Sequence, residues 1–254
     1  MVLTQLNVPK AADVLAAVLR EKILNGELAE GTGLPTERGL GEQSGLSRAT
    51  VREALRILEG QGLIATRLGR NGGSAVVRPS TAAIERSVDI FIRGQRIRFE
   101  AVLEARAAIE PPSARYAALH RSDTDLQDIE RCQTALEQAS RDGDIPAYVK
   151  ANLDWHVAVV RASRNELLIA FVSAISPSVH AASDLDGLSP VNVRDEVIRA
   201  HRGVMGAIRD GDGEAAARRM ARHVDAYVAD VRNQGDAAAQ AHTAASQPYR
   251  KDRQ

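Results

Sequence analysis

Aromatic residues make up only 3% of this 254-residue chain: one tryptophan, four tyrosines and three phenylalanines. Sheet-rich folds draw on aromatic and β-branched side chains. Here alanine, leucine and valine dominate, which favours helices. Cys132 is the single cysteine, so no internal disulfide is possible and the chain suits a reducing cytoplasm. It reads as a small helical residue rather than a reactive thiol. No run of about 18 apolar residues is present, which excludes a hydropathic membrane span. The opening segment MVLTQLNVPKAADVLAAVLREKI carries acidic residues within its apolar pattern and no small-residue cleavage site, so it is not read as a secretory signal. There is no HExxH motif and no nucleophile motif, which counts against an enzyme. The formal net charge is zero. Non-specific nucleic-acid binders are usually basic, so the neutral total counts against DNA binding when the chain is taken as a whole.

The charge is nevertheless uneven. Residues 34–78 hold seven arginines and four glutamates, a local charge of +3. Their pattern predicts a winged helix-turn-helix. Residues 11–25 have apolar positions at helical spacing, ending at Asn25-Gly26. Thr36 is placed to cap a short helix over about 37–43. Gly45 supplies a turn, and Ser47 is placed to cap a second helix over about 48–59, stopped by Gly60 and Gly62. Strands are expected at 63–66 and 74–77, around a Gly/Arg loop running from Arg67 to Gly73.

The second helix has two faces. Val51, Ala54, Leu55 and Leu58 should pack inward, while Arg48, Arg52 and Arg56 form an outward basic ridge. Such a helix suits the major groove, where Arg donates twice to guanine. Ser47 and Thr50 at the helix start can reach phosphate, Arg38 the DNA backbone, and Arg70 in the wing a minor groove or phosphate.

These motifs resemble the winged-helix domain of the GntR family of bacterial transcription regulators. The matching residues are Leu34-Pro35, Glu37-Arg38, Ser47-Arg48, Val51-Arg52-Glu53-Ala54-Leu55, Leu58, Gly62-Leu63-Ile64 and the Gly/Arg wing. The resemblance implies DNA contact by Arg38, Ser47, Arg48, Thr50, Arg52 and Gly69, with Arg70 beside them. Gly39 and Gly41 depart from it, standing inside a helix where each costs roughly 1 kcal/mol relative to Ala. Close helix packing is a reason for Gly41; Gly39 has none in the sequence.

From 81 onward the pattern is helical, with helices near 81–93, 99–119, 122–141, 144–162, 165–183, 191–210 and 213–232. Pro111-Pro112 should kink or break the second of these. The expected fold is therefore mostly α. A winged helix-turn-helix of three helices and a small hairpin (8–79) precedes an all-α bundle (80–234) and a disordered tail (235–254).

Asn152 and His156 are four apart and share one helix face. His201 and His223 fall on the last two helices, which a short turn should make antiparallel neighbours. Two such hairpins can bring the four side chains together inside a bundle and hold a divalent metal. Imidazole suits Zn, Ni, Fe or Mn. Asp154 lies two residues from His156 and should point elsewhere. The helical region over roughly 85–232 resembles the FCD ligand-binding domain of the FadR-like GntR subgroup. The matching features are Glu104-Ala105-Arg106 with Glu110, Asn152 to His156, Ser163-Arg164-Asn165, His201 and His223. That resemblance implies a metal on Asn152, His156, His201 and His223. It also implies a small carboxylate effector beside the metal, with Arg106 as the pairing cation; the plainer reading of Arg106 is a helix salt bridge. An amide at 152 binds a cation less strongly than the carboxylate many members have there. The expected function is a homodimeric, ligand-responsive repressor that reads a palindromic operator in double-stranded DNA. A direct metal sensor and, further off, a metal-dependent enzyme with a DNA-binding appendage are the alternatives.

Overall fold

A computed structural model describes residues 9–67, 73–185 and 191–245, with the backbone alone described at 180–185 and 230–245. The chain divides into two compact units, Met1–Ala83 and Ile84–Gln254, so the boundary falls a few residues beyond the expected one at 79.

In the first unit, α1 (Ala11–Leu24), α2 (Glu37–Ser44) and α3 (Arg48–Gly60) precede the strands β1 (Ile64–Arg67) and β2 (Gly73–Val76). Both expected caps form. Thr36 Oγ1 accepts from the Gly39 N–H at 3.1 Å, and Ser47 Oγ from the Thr50 N–H at 3.2 Å. Gly45 takes φ +72° at the end of α2, in the left-handed region that favours glycine. The strands sit one residue from their expected positions, antiparallel with Ile64 opposite Val76. The outer edge of β2 is covered by residues 31–34, through bonds from Gly31 N to Val76 O and from Leu34 N to Ser74 O. Ala16, Val51, Ala54 and Leu58 are buried at the centre of this unit, as the inward face of α3 required.

The helix α4 (Thr81–Gly94) begins in the last residues of the first unit, and the second unit holds the rest of it with α5 (Phe99–His120), α6 (Asp123–Asp142), α7 (Ile145–Ala162), α8 (Glu166–Leu185), α9 (Val191–Asp210) and α10 (Gly213–Ala245). The expected break at Pro111-Pro112 does not occur, and α5 runs through both prolines. Proline's fixed φ is itself helical, and what it removes is an N–H donor. Ser113 Oγ adds a bond to the Ile109 carbonyl at 2.7 Å, and α5 packs against α7, α8, α9 and α10. The expected disordered tail is also corrected in part, since α10 continues to Ala245. The segment is alanine-rich, and alanine is the strongest helix former. Residues 246–254 lie outside the described residues.

Candidate functional site

The first candidate surface is the outer face of α3. Arg48, Arg52 and Arg56 are exposed along it, as their four-residue spacing requires. Arg52 is not free. Its Nε and Nη2 donate to the two carboxylate oxygens of Glu37 on α2, at 2.8 and 2.6 Å. The Arg52 hydrogen bond holds the Glu37 carboxyl below its usual range, with Arg48 and Arg56 adding to the effect. This pair connects α3 to α2 across the surface. The hydroxyls of Ser47 and Thr50 lie 2.9 Å apart at the start of α3. Arg38 is exposed and pairs with Glu42 at 3.0 Å. Gly69 and Arg70 lie outside the described residues. Gly41 has a clear steric reason: a Cβ there would stand 2.9 Å from the Leu46 carbonyl oxygen, closer than packed atoms tolerate. At Gly39 a Cβ meets only ordinary contacts at 3.5 Å.

The second candidate lies inside the helical unit. Here α7, α9 and α10 bring His156, His201 and His223 together, with one nitrogen from each within 4.8 Å of the others. His201 Nε2 is 3.0 Å from His223 Nε2, which is 3.2 Å from His156 Nε2. An imidazole nitrogen has one in-plane proton or one lone pair. His223 Nε2 therefore cannot serve both neighbours well through hydrogen bonds. A cation would satisfy all three lone pairs at once. Nitrogens bound to one ion at about 2.0–2.1 Å stand roughly 2.8–3.4 Å apart for cis to tetrahedral angles, which matches both separations. Asn152 Oδ1 is buried and has no hydrogen-bond partner among the described residues. It stands on α7 one turn before His156, on the same helix face. Asp154 is exposed and paired with Lys150, away from the cluster.

Burial pushes all three imidazoles toward the neutral form a metal requires. For His223 burial, then the charges of His156 and Arg106, lower the pKa to about 3 against an opposing pull from Glu110. His201 is displaced well down by burial and by its two histidine neighbours.

Two participants had no role assigned from sequence. Trp155 stacks on His201 with ring centres 3.7 Å apart and planes 8° from parallel. Glu110 on α5 places Oε2 2.8 Å from His156 Nδ1, a close electrostatic contact that does not meet hydrogen-bond geometry. Arg106 is tied to Glu110, its Nε donating to Oε1 at 2.5 Å, so the plainer salt-bridge reading describes its position. That pair is buried in the bundle, and Arg106 Nη2 has no hydrogen-bond partner among the described residues. The i,i+4 spacing of Arg106 and Glu110 was the only sequence signal for this arrangement.

Residues 11–74 match the pattern "Bacterial regulatory proteins, gntR family", and residues 101–226 match the FCD domain. The putative L-lactate dehydrogenase operon regulatory protein of Escherichia coli is 30% identical over 225 residues, covering 85% of this chain and 82% of that one. The chain belongs to the GntR family and carries an FCD domain. The Glc operon transcriptional activator of Escherichia coli is 33% identical over 169 residues, 65% of each chain. The aligned part of this GntR-family chain thus spans about two thirds of that activator's length. The galactonate operon transcriptional repressor of Escherichia coli is 27% identical, with 80% of this chain and 89% of that one aligned. A Streptococcus agalactiae GntR structure shares the fold, with a TM-score of 0.65 at 24% identity over 86% of this chain and 99% of that one. These families and relatives are transcription regulators, not enzymes. Among the described residues, no helix is long and apolar enough to cross a membrane.

Proposed function

We propose that this GntR-family chain is a cytoplasmic transcription repressor that binds a palindromic operator as a homodimer. A small carboxylate, bound beside a divalent metal in the helical unit, controls that binding. The convergence of His156, His201 and His223 in the FCD unit carries the reading. Asn152, His156, His201 and His223 would hold the metal, which supplies a Lewis-acidic centre for a carboxylate oxygen. Arg106, whose Nη2 has no hydrogen-bond partner among the described residues, would give the carboxylate a cation. Arg38, Ser47, Arg48, Thr50 and Arg52, with Gly69 and Arg70 of the wing, would contact DNA. Two relatives are named for the L-lactate dehydrogenase and galactonate operons, which favours a hydroxycarboxylate as the ligand class. Ligand binding would act by favouring one arrangement of the DNA-binding units over another.

The test is elemental analysis of the purified protein, followed by operator footprinting with added metal and with L-lactate or galactonate. Stoichiometric metal in the wild type, lost in the His201→Ala, His223→Ala double variant, is expected. Equal metal content in the two proteins overturns the centre. Operator release by metal alone would replace the carboxylate reading with a direct metal sensor.

A further inference from the structure

The three rings of the histidine cluster are held in different ways. His201 is held by stacking on Trp155, and its Nδ1 is buried with no hydrogen-bond partner among the described residues. His156 instead turns its Nδ1 edge toward a buried carboxylate, Glu110, whose Oε2 stands 2.8 Å away but outside hydrogen-bond geometry, and its Nε2 edge toward His223. Glu110 is reached in turn by Arg106, one helical turn earlier on α5. A single buried file therefore runs from α5 through α7 to the cluster: Arg106, Glu110, His156.

A neutral imidazole carries its proton on one nitrogen only. With the proton on Nε2, His156 would point it at His223 and have no lone pair to give a metal. It would also set its Nδ1 lone pair against a carboxylate oxygen at 2.8 Å, which is repulsive. With the proton on Nδ1, the same carboxylate attracts the N–H, and Nε2 presents its lone pair to the cluster. Ligating histidines in general have the second nitrogen fixed by such an acceptor, which sets the tautomer and makes the ligand more basic.

We propose that Glu110 is a positioning residue that holds His156 in its Nδ1–H tautomer and so aims the Nε2 lone pair into the His201–His223 cluster. Arg106 keeps the anion in place. Burial alone would drive the Glu110 carboxyl up, but the neighbouring Arg106 charge and the His156 ring edge outweigh it and hold the carboxyl below its usual range. Arg106 donates to Oε1 and leaves Oε2 for the imidazole. The Arg106 guanidinium also stands over the Tyr227 ring on α10, with Cζ 5.8 Å from its centre. The arrangement thus links α5 to two of the three helices that carry the histidines.

The proposal rests on the metal reading only for its affinity measurement, and two measurements on the full chain separate them. The first is long-range 1H–15N NMR of histidine-labelled, metal-free protein. His156 of the wild type is expected as the Nδ1–H tautomer, and Glu110→Gln should shift the population toward Nε2–H. An Nε2–H His156 in the wild type overturns the proposal, and this needs no variant to fold. An unchanged tautomer in a folded Glu110→Gln protein also overturns it. The second is competition of a chelator for Zn²⁺. Glu110→Gln should weaken Zn²⁺ binding by about 10–100-fold, the range for loss of such a supporting carboxylate, with partial recovery in Glu110→Asp. Glu137→Gln removes a carboxylate of like charge that pairs with Arg202 elsewhere, and should leave both readouts unaltered. Zn²⁺ affinity unchanged by Glu110→Gln sinks the proposal while the metal centre stands. Wild-type protein that takes up no Zn²⁺ sinks the metal centre, and the tautomer still decides the role of Glu110.

Discussion

The two units contain the same kind of interaction in opposite settings. In the first, Arg52 and Glu37 make a forked ion pair whose side chains are 53% and 34% exposed. In the second, Arg106 and Glu110 make an ion pair whose side chains are 5% and 2% exposed. An exposed pair is screened by water and contributes about 0–1 kcal/mol. Removing one member of a buried pair strands the other charge and costs about 3–5 kcal/mol. The surface pair can therefore open to meet a polyanion at little cost. The buried pair is rigid, which suits the support of a ligand cluster.

The sharpest way to break this comparison is to remove the carboxylate from each. Glu110→Ala should lower the stability of the helical unit by about 3–5 kcal/mol in urea unfolding, and Glu37→Ala that of the first unit by no more than about 1 kcal/mol. Equal losses would show that burial does not separate the two pairs. Operator affinity divides the units in the reverse sense. Arg52→Ala should cost about 1–3 kcal/mol of specific binding by footprinting, if it reads one base pair, with the protein still folded. Unchanged protection would remove α3 from the interface.

Acid should also separate the units. Glu110 has a lowered pKa, so its stabilising contribution is present above its unfolded value of 4.5 and is lost as pH falls through that value toward about 2. His223 is lowered to about 3 from 6.5, so the unfolded chain takes up this proton first and stability falls as pH drops from 6.5 toward 3. Both effects have the same sign in metal-free protein. Trp155, the single tryptophan, should report unfolding of the helical unit at a higher pH than hydrogen exchange reports for α3. Simultaneous loss would contradict the assignment of acid sensitivity to the buried cluster.

The smallest expected effect lies within α2. Gly39→Ala should stabilise the first unit by up to about 1 kcal/mol in thermal unfolding, because alanine is the better helix former and the site has room. Gly41→Ala should destabilise it, because the new Cβ meets the Leu46 carbonyl. The reverse order would show that helix propensity, not the close approach, decides both sites.

Much of this fold was legible in the residues because its signals are local. The caps at Thr36 and Ser47, the turn at Gly45 and the apolar stripe of α3 each depend on neighbours within a turn or two. The same holds for the helix boundaries, most of which lie within two residues of their expected places. Local rules failed where context outweighed them. At Pro111-Pro112 the packing of α5 among four helices maintains a helix that two missing donors would otherwise weaken.

By itself, then, the sequence determined the class of protein, the elements and the residue types available for chemistry: an arginine-ridged reading helix and three histidines on three amphipathic helices. The meeting of the three histidines was also expected from the sequence; only the tertiary structure decided what surrounds them. Glu110 is 46 residues from His156, and Trp155 is 46 from His201. No periodicity reaches across such intervals, because periodicity records which face of a helix is buried and not what that face is buried against. The Arg52–Glu37 fork, the Glu110–His156 approach and the Trp155–His201 stack arise from helix packing, in which side chains distant in sequence compete for the same space.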